Sequence, residues 1–224
     1  MKKIKLFWYK VPFGKKNFGD ELGPYLVEKL SGNKVAYIPL IHKGLNKKTL
    51  LTYPRALFTQ KLNFNDIIDN IKYLLGKDRN IIITIGSIIT WHTNPKCIIW
   101  GSGIMSKNDN VNNAVFLAVR GKYTQKRLEE LGYVVPKTIG DPAILSPLVY
   151  ESKRSTKRFK VGIIPHHFHF DEINSRIKEN EEVKIINLLD SVEDVINDIN
   201  SCEVTITSSL HGIIVPHAYG IKSL

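Results

Sequence analysis

Val204-Thr-Ile-Thr-Ser-Ser-Leu-His-Gly-Ile-Ile-Val215 decides the fold class. An apolar, β-branched run enters two serines, Ser208 and Ser209, and leaves as a helical pattern that opens near His211. Strand, small polar turn and helix form the repeating unit of a parallel sheet. Such sheets bind ligands at the C-terminal ends of their strands, where a helix N-terminus offers N–H groups and positive potential to an anion. His211 at that turn could donate to a phosphate or exchange a proton with a substrate. The plainer alternative makes the serines helix caps and His211 a polar surface residue.

The same rhythm runs outward through the chain. Strand-like apolar runs recur at Ile4–Tyr9, Lys34–Leu40, Ile81–Ile85, Cys97–Trp100, Ala114–Val119, Lys160–Ile164 and Lys184–Leu188. Several are almost continuously β-branched, as strands covered on both faces must be. Helical stripes stand between many of them. Asp20–Leu30 places Leu22, Leu26, Val27 and Leu30 on one face before Gly32, and Asn65–Leu75 does so with Ile67, Ile68, Ile71, Leu74 and Leu75. Lys122–Leu131 turns Leu128 and Leu131 inward and stops at Gly132. Ser191, three residues before Asp194, caps a helix whose stripe is Val192, Val195, Ile196 and Ile199. The expectation is an α/β protein of two Rossmann-like domains. The polar stretch Glu151–Arg158 divides it into residues 1–150 and 151–224.

Two other strand ends carry glycine and serine. Ile98-Ile-Trp-Gly-Ser-Gly-Ile-Met105 turns at Gly101, Ser102 and Gly103, and Ile82-Ile-Thr-Ile-Gly-Ser87 repeats the pattern. Neither is a dinucleotide fingerprint, because Ser106 stands where G-x-G-x-x-G needs its third glycine. Arg120 follows the strand that ends at Val119 and is either a ligand-binding cation or a surface arginine. Asn17-Phe-Gly-Asp20 reads as a turn with Asp20 as the helix cap. His166-His-Phe-His169 lacks the spacing of a metal site, so no metal is expected.

Composition narrows the class. The chain has 224 residues, 43% hydrophobic and 24% charged, as ordinary globular proteins do. Cys97 and Cys202 lie far apart and form neither a disulfide framework nor a ligand pair. Met1–Lys10 has lysines but too short an apolar core for a leader, and no apolar run approaches the roughly 18 residues of a membrane span. A cytoplasmic protein is expected. The net charge of +11 is uneven: residues 1–150 hold 23 Lys/Arg against 10 Asp/Glu, and residues 151–224 hold 9 against 11. An anionic partner would be drawn to the first part. No stacking-aromatic cluster accompanies the basicity, so nucleic acid is not expected.

Read in order, Asn17-Phe-Gly-Asp-Glu-Leu, Ile85-Gly-Ser, Trp100-Gly-Ser-Gly, Val119-Arg-Gly-Lys-Tyr-Thr, Gly140-Asp-Pro-Ala, Ile164-Pro-His, Ser208-Ser-Leu-His-Gly and Ala218-Tyr-Gly resemble the polysaccharide pyruvyltransferase family. The resemblance implies a GT-B arrangement with its active site in the interdomain cleft. Its donor would be phosphoenolpyruvate, a co-substrate in a reaction without a cofactor. The acceptor would be a sugar of a cell-surface polysaccharide or its lipid-linked precursor, which would bring the protein to the inner face of the membrane. His211 becomes the essential histidine. Arg120, His166, Ser208, Ser209, Leu210 and Gly212 become donor-binding residues. Asn17, Gly19, Asp20, Gly101, Ser102 and Gly103 become cleft or acceptor residues from the N-terminal domain. Two departures stand out: Ser209 where many members carry Arg, and Gly220-Ile-Lys222 where Gly-Ile-Pro is usual.

Two rival readings share the residues: a sugar-nucleotide-dependent glycosyltransferase of GT-B type, and a non-catalytic truncated remnant that binds glycan. The second arises because the sequence stops in mid-rhythm after Ala218-Tyr-Gly. Under the pyruvyltransferase reading as well, the C-terminal domain is expected to be truncated, with an unpaired edge on the Val204–Thr207 strand.

Overall fold

The computed structural model describes residues 3–10, 16–38, 64–74, 80–154 and 156–224. Leu40 and Leu75, the expected ends of one strand and one helix, lie outside them.

The first sheet contains β1 (Ile4–Phe7), β2 (Val35–Tyr37), β3 (Ile81–Ile83), β4 (Cys97–Trp100) and β5 (Val115–Ala118). All pairs are parallel, in the order β2-β1-β3-β4-β5. Helices α1 (Phe18–Ser31), α2 (Phe64–Leu74) and α3 (Ile89–His92) fall between the strands, and α4 (Lys122–Glu130) follows β5. The β-branched centres expected of covered strands are buried: Ile81, Ile83 and Ile99 join Leu6, Val119 and Leu128 in one cluster. Asn70 of α2 is also buried and donates to the Tyr37 carbonyl at 3.0 Å, tying that helix to β2.

The second sheet contains β6 (Phe159–Ile164), β7 (Val183–Ile185), β8 (Cys202–Thr207) and β9 (Lys222–Ser223), all parallel, in the order β7-β6-β8-β9. Its helices are α5 (Ser146–Val149), α6 (Phe170–Arg176), α7 (Val192–Asn200) and α8 (Leu210–Ala218). Ser191 caps α7 by accepting from the Asp194 amide, and Val192, Val195, Ile196 and Ile199 are its buried stripe. On α8 Val215 is fully inside, while Ile213 faces out.

The edge of β8 is paired, contrary to expectation. Val204 and Thr205 stand in register with Lys222 and Ser223. The Thr207 amide donates to the Leu224 carbonyl at 2.8 Å, and the Leu224 amide donates to the Thr205 carbonyl at 2.9 Å. Ser223 Oγ then reaches the Gly212 carbonyl at 3.0 Å. Lys222-Ser-Leu224 has no strand-like composition, but a backbone ladder needs none.

The chain divides into two compact units, residues 1–15 with 27–142 and residues 16–26 with 143–224. This differs from the expected 1–150 and 151–224 in two places, each with a physical reason. The polar stretch after Tyr150 is fastened to α7: Asn197 Oδ1 accepts from Tyr150 Oη at 3.2 Å, Ser152 Oγ at 3.1 Å and the Lys153 amide at 2.9 Å. The first half of α1 belongs with the second sheet. Phe18, Leu22 and Leu26, spaced four apart on one helix face, are fully buried, and the Phe18 amide donates to the Leu188 carbonyl at 2.8 Å. With these bounds the first unit holds 22 Lys/Arg against 8 Asp/Glu, and the second 10 against 13.

Candidate active site

His211 lies in the first turn of α8, directly beyond the C-terminal end of β8. The turn between them is built by Thr207. Its Oγ1 donates to the Ile164 carbonyl at 2.7 Å and accepts from the Ser209 amide at 2.9 Å, joining the ends of β6 and β8. Ser209 occupies the N-cap position without a side-chain cap bond, so it is not the cap that the plainer sequence reading made it. Ser208 is exposed, and its Oγ accepts from the His166 amide at 2.9 Å. Leu210 points outward, and a Cβ on Gly212 would overlap Thr207 Oγ1.

His211 is not a surface residue. It is half-buried, and its Nε2 is sealed from solvent. One ring edge lies against the backbone of α1: a Cβ on Gly19 would overlap Nδ1 and stand 2.9 Å from Cε1. Glycine at 19 is therefore a condition of the ring's position. Asp20, the next residue, interacts electrostatically with His211. Burial raises its carboxyl to about 7; the histidine's positive charge opposes that rise and Glu21 adds to it.

Asn17, not Asp20, caps α1: its Oδ1 accepts from the Gly19 amide at 3.0 Å. The sequence reading placed the cap three residues too late, because either side chain can cap and only the backbone decides where the helix starts. With Oδ1 committed, the Asn17 amide group turns its Nδ2 to His167 Nδ1 at 3.2 Å. An amide NH₂ only donates, so His167 Nδ1 accepts and the ring proton of the neutral form sits on Nε2. His167 was not singled out from the sequence. Its adjacency to His166 was the only available signal.

The rings of His166, His167 and Phe168 pack on one another, with centroids 4.3 Å and 4.1 Å apart along that series. Burial and the neighbouring His169 push His166 below the usual imidazole range. Among the described residues no group of three or more His, Cys, Asp or Glu is placed to hold a metal ion. Beside Ser208 opens a groove of about 430 Å³, walled by Ile163, Pro165, His169, Glu172 and Ile206.

Asn17, Gly19, Asp20, His166, Ser208, Ser209, His211 and Gly212 thus belong to the second unit. The expectation that Asn17, Gly19 and Asp20 come from the N-terminal domain differs from this packing. Gly101, Ser102, Gly103 and Arg120 belong to the first unit. There Ser102 is buried and donates to the Gly86 carbonyl at 2.7 Å. Arg120 packs against Gly103, and its Nη2 donates to the Ile104 carbonyl at 3.1 Å. Burial lowers the Arg120 guanidinium, and Asp141 counters the effect.

Among the described residues no helix is long and apolar enough to cross a membrane. No solved structure matches the chain. The uncharacterized protein L143 of Acanthamoeba polyphaga mimivirus is 29% identical over 143 residues, 61% of this chain and 50% of that protein. The match therefore spans about half the length of this curated relative. A family model described as polysaccharide pyruvyl transferase matches residues 17–224, from the cap of α1 through the whole second sheet. The chain belongs to the polysaccharide pyruvyl transferase family.

Proposed function

We propose that the protein transfers pyruvate from phosphoenolpyruvate to two hydroxyls of one sugar, forming a cyclic ketal, with His211 as the proton donor. The observation that carries this reading is the placement of His211: a half-buried imidazole in the first turn of a helix at the end of a parallel strand, beside a carboxyl. The first turn of a helix leaves backbone N–H groups for an anion. The residues from Ser208 to Gly212 would cradle the donor phosphate, with His166 fixed beside them through Ser208.

Phosphoenolpyruvate is an enol phosphate. A proton from His211 to its methylene carbon makes a methyl group and an oxocarbenium centre at C2. One sugar hydroxyl adds to that centre, the C2–O bond to phosphate breaks, and the second hydroxyl closes the ring. Of the two hydroxyl protons, one replaces that given to the methyl group and the other leaves with phosphate. The reaction has no redox step. Helix N–H groups and a positioned acid supply charge stabilisation and proton delivery where both are needed.

The acceptor is a saccharide or a lipid-linked oligosaccharide, and the protein works in the cytoplasm at the inner membrane face. The GT-B class belongs to the same proposal. The test is incubation of the protein with labelled phosphoenolpyruvate and polysaccharide precursors, following phosphate release and label in the saccharide. Label transferred only from sugar nucleotides would favour the glycosyltransferase reading. Glycan binding without any transfer would favour the non-catalytic one.

A further inference from the structure

We propose that the groove beside Ser208 holds the acceptor, as one uncharged sugar ring lying on Ile163 and Ile206 with hydroxyls on Glu172 and His169. The proposal rests on the transferase reading and deepens it, because it puts the sugar that receives pyruvate on the second unit. The groove opens at a special point of the sheet. From β6 the chain goes to β7 on one side and then crosses to β8 on the other. The crevice beyond the carboxyl ends of strands that part in this way is where open parallel sheets take ligands. Pro165 follows β6 and Ser208 follows β8, and both line the groove. Ser208 is also the first residue of the turn that would cradle the donor, so a sugar at this rim would lie next to phosphoenolpyruvate.

The floor of the groove is apolar and uncovered. Ile163 and Ile206 are register partners on neighbouring strands. β8 stands between β6 and β9, and interior strands of a parallel sheet are normally covered on both faces. One face is covered, where Gly212 of α8 packs on Ile164 and Thr207. Side chains alternate along a strand, so Ile163 and Ile206 face the other way, and Ile206 stays 47% exposed. The wall comes from the start of α6, with His169, Glu172 and Ile173. Glu172 gives Oε1 to Arg176 at 2.9 Å and keeps Oε2 for another donor. A carboxylate accepts from sugar hydroxyls, and the exposed imidazole of His169 can donate or accept. The C–H face of a pyranose suits the isoleucine floor. No Lys or Arg is among the described residues that line the groove. An anion therefore finds no cation there, and phosphoenolpyruvate stays at the turn before α8. A volume of about 430 Å³ is that of a site for one small ligand.

The test is an NMR titration of the full chain, labelled at its isoleucine δ-methyls, with the methyl glycosides of glucose, galactose and N-acetylglucosamine. The methyls of Ile163, Ile173 and Ile206 should shift, and that of Ile213, also exposed but on α8, should stay in place. No shift with any of the three at tens of millimolar, where even weak sites fill, would overturn the proposal. So would equal shifts with glucuronate, or shifts with hexanol and with no glycoside, which would give the groove to an alkyl chain. In the transfer assay Glu172→Ala should raise the acceptor KM by about 10- to 100-fold and leave the KM for phosphoenolpyruvate unchanged. Glu172→Gln, which keeps an accepting oxygen, should recover part of the loss. Glu172 is exposed, so both variants keep the sheet intact. A rise in the KM for phosphoenolpyruvate alone would hand the groove to the donor and overturn the assignment. Transfer with neither KM moved would sink the groove and leave the transferase reading. Glycoside shifts in a protein that never transfers pyruvate would leave the groove standing and sink that reading instead.

Discussion

Two turns of this molecule look alike in sequence and differ in what their polar groups do. Trp100-Gly-Ser-Gly follows β4, and Ser208-Ser-Leu-His-Gly follows β8. In the first, Ser102 is buried with its hydroxyl on Gly86, its carbonyl accepts from the Arg120 amide at 3.1 Å, and the Gly103 amide donates to Gly86 at 3.0 Å. Arg120 closes the turn from outside through the Ile104 carbonyl. That turn is a knot in the core. In the second, Ser208 is exposed and an imidazole stands beside an acid. Glycine and serine at a strand end therefore mark a tight turn. The destination of the hydrogen bonds separates the two: inward onto Gly86 and Ile104 in the first, outward at an exposed Ser208 in the second.

The comparison breaks most sharply at His211. His211→Ala should lower the transfer rate by about 10²–10⁴ with the thermal midpoint little changed. A fully active variant would make the second turn as structural as the first. Gly101→Ala should do the reverse. Gly101 has φ +87°, and a Cβ there would overlap the Pro142 ring. The strain and overlap together should cost about 3 kcal/mol or more in urea unfolding. A variant as stable as the parent would show that the first turn is slack. Arg120→Ala removes the bond to Ile104 and should cost about 2 kcal/mol. A raised KM for phosphoenolpyruvate at unchanged stability would instead make Arg120 part of the chemistry. Asn17→Ala removes the α1 cap and should cost about 1 kcal/mol by thermal denaturation. It should also release His167, visible as a change in its imidazole ¹⁵N shifts.

Much of the fold was legible because its signals are local. Ile81–Ile83 and Cys97–Trp100 are buried strands by composition alone, and Ser191 caps α7 from three residues away. The features that were missed depend on distant partners. Asp20 meets His211 across 190 intervening residues, and nothing in Asn17-Phe-Gly-Asp20 announces an imidazole lying on Gly19. Tyr150–Lys153 looks like a linker because its partner, Asn197, lies more than forty residues on. The strand Lys222–Ser223 is too short and too polar to declare itself, and only β8 beside it gives it a ladder. For the site, the motif named His211, while the contact of its ring with Gly19 and the cap at Asn17 required the packing of α1.

The discontinuous second unit has a consequence for the order in which the chain is made. Phe18, Leu22 and Leu26 leave the ribosome early, yet they belong to a core completed only when β8 and α8 have been synthesised. Leu26 and His211 are 185 residues apart, so at ordinary translation speeds the early segment waits roughly 10–40 s for its partners. During that interval three large apolar side chains on one helical face stay without their final cover. Such a nascent chain is a natural client for a holding chaperone, and a slow codon run before β8 would lengthen its exposure.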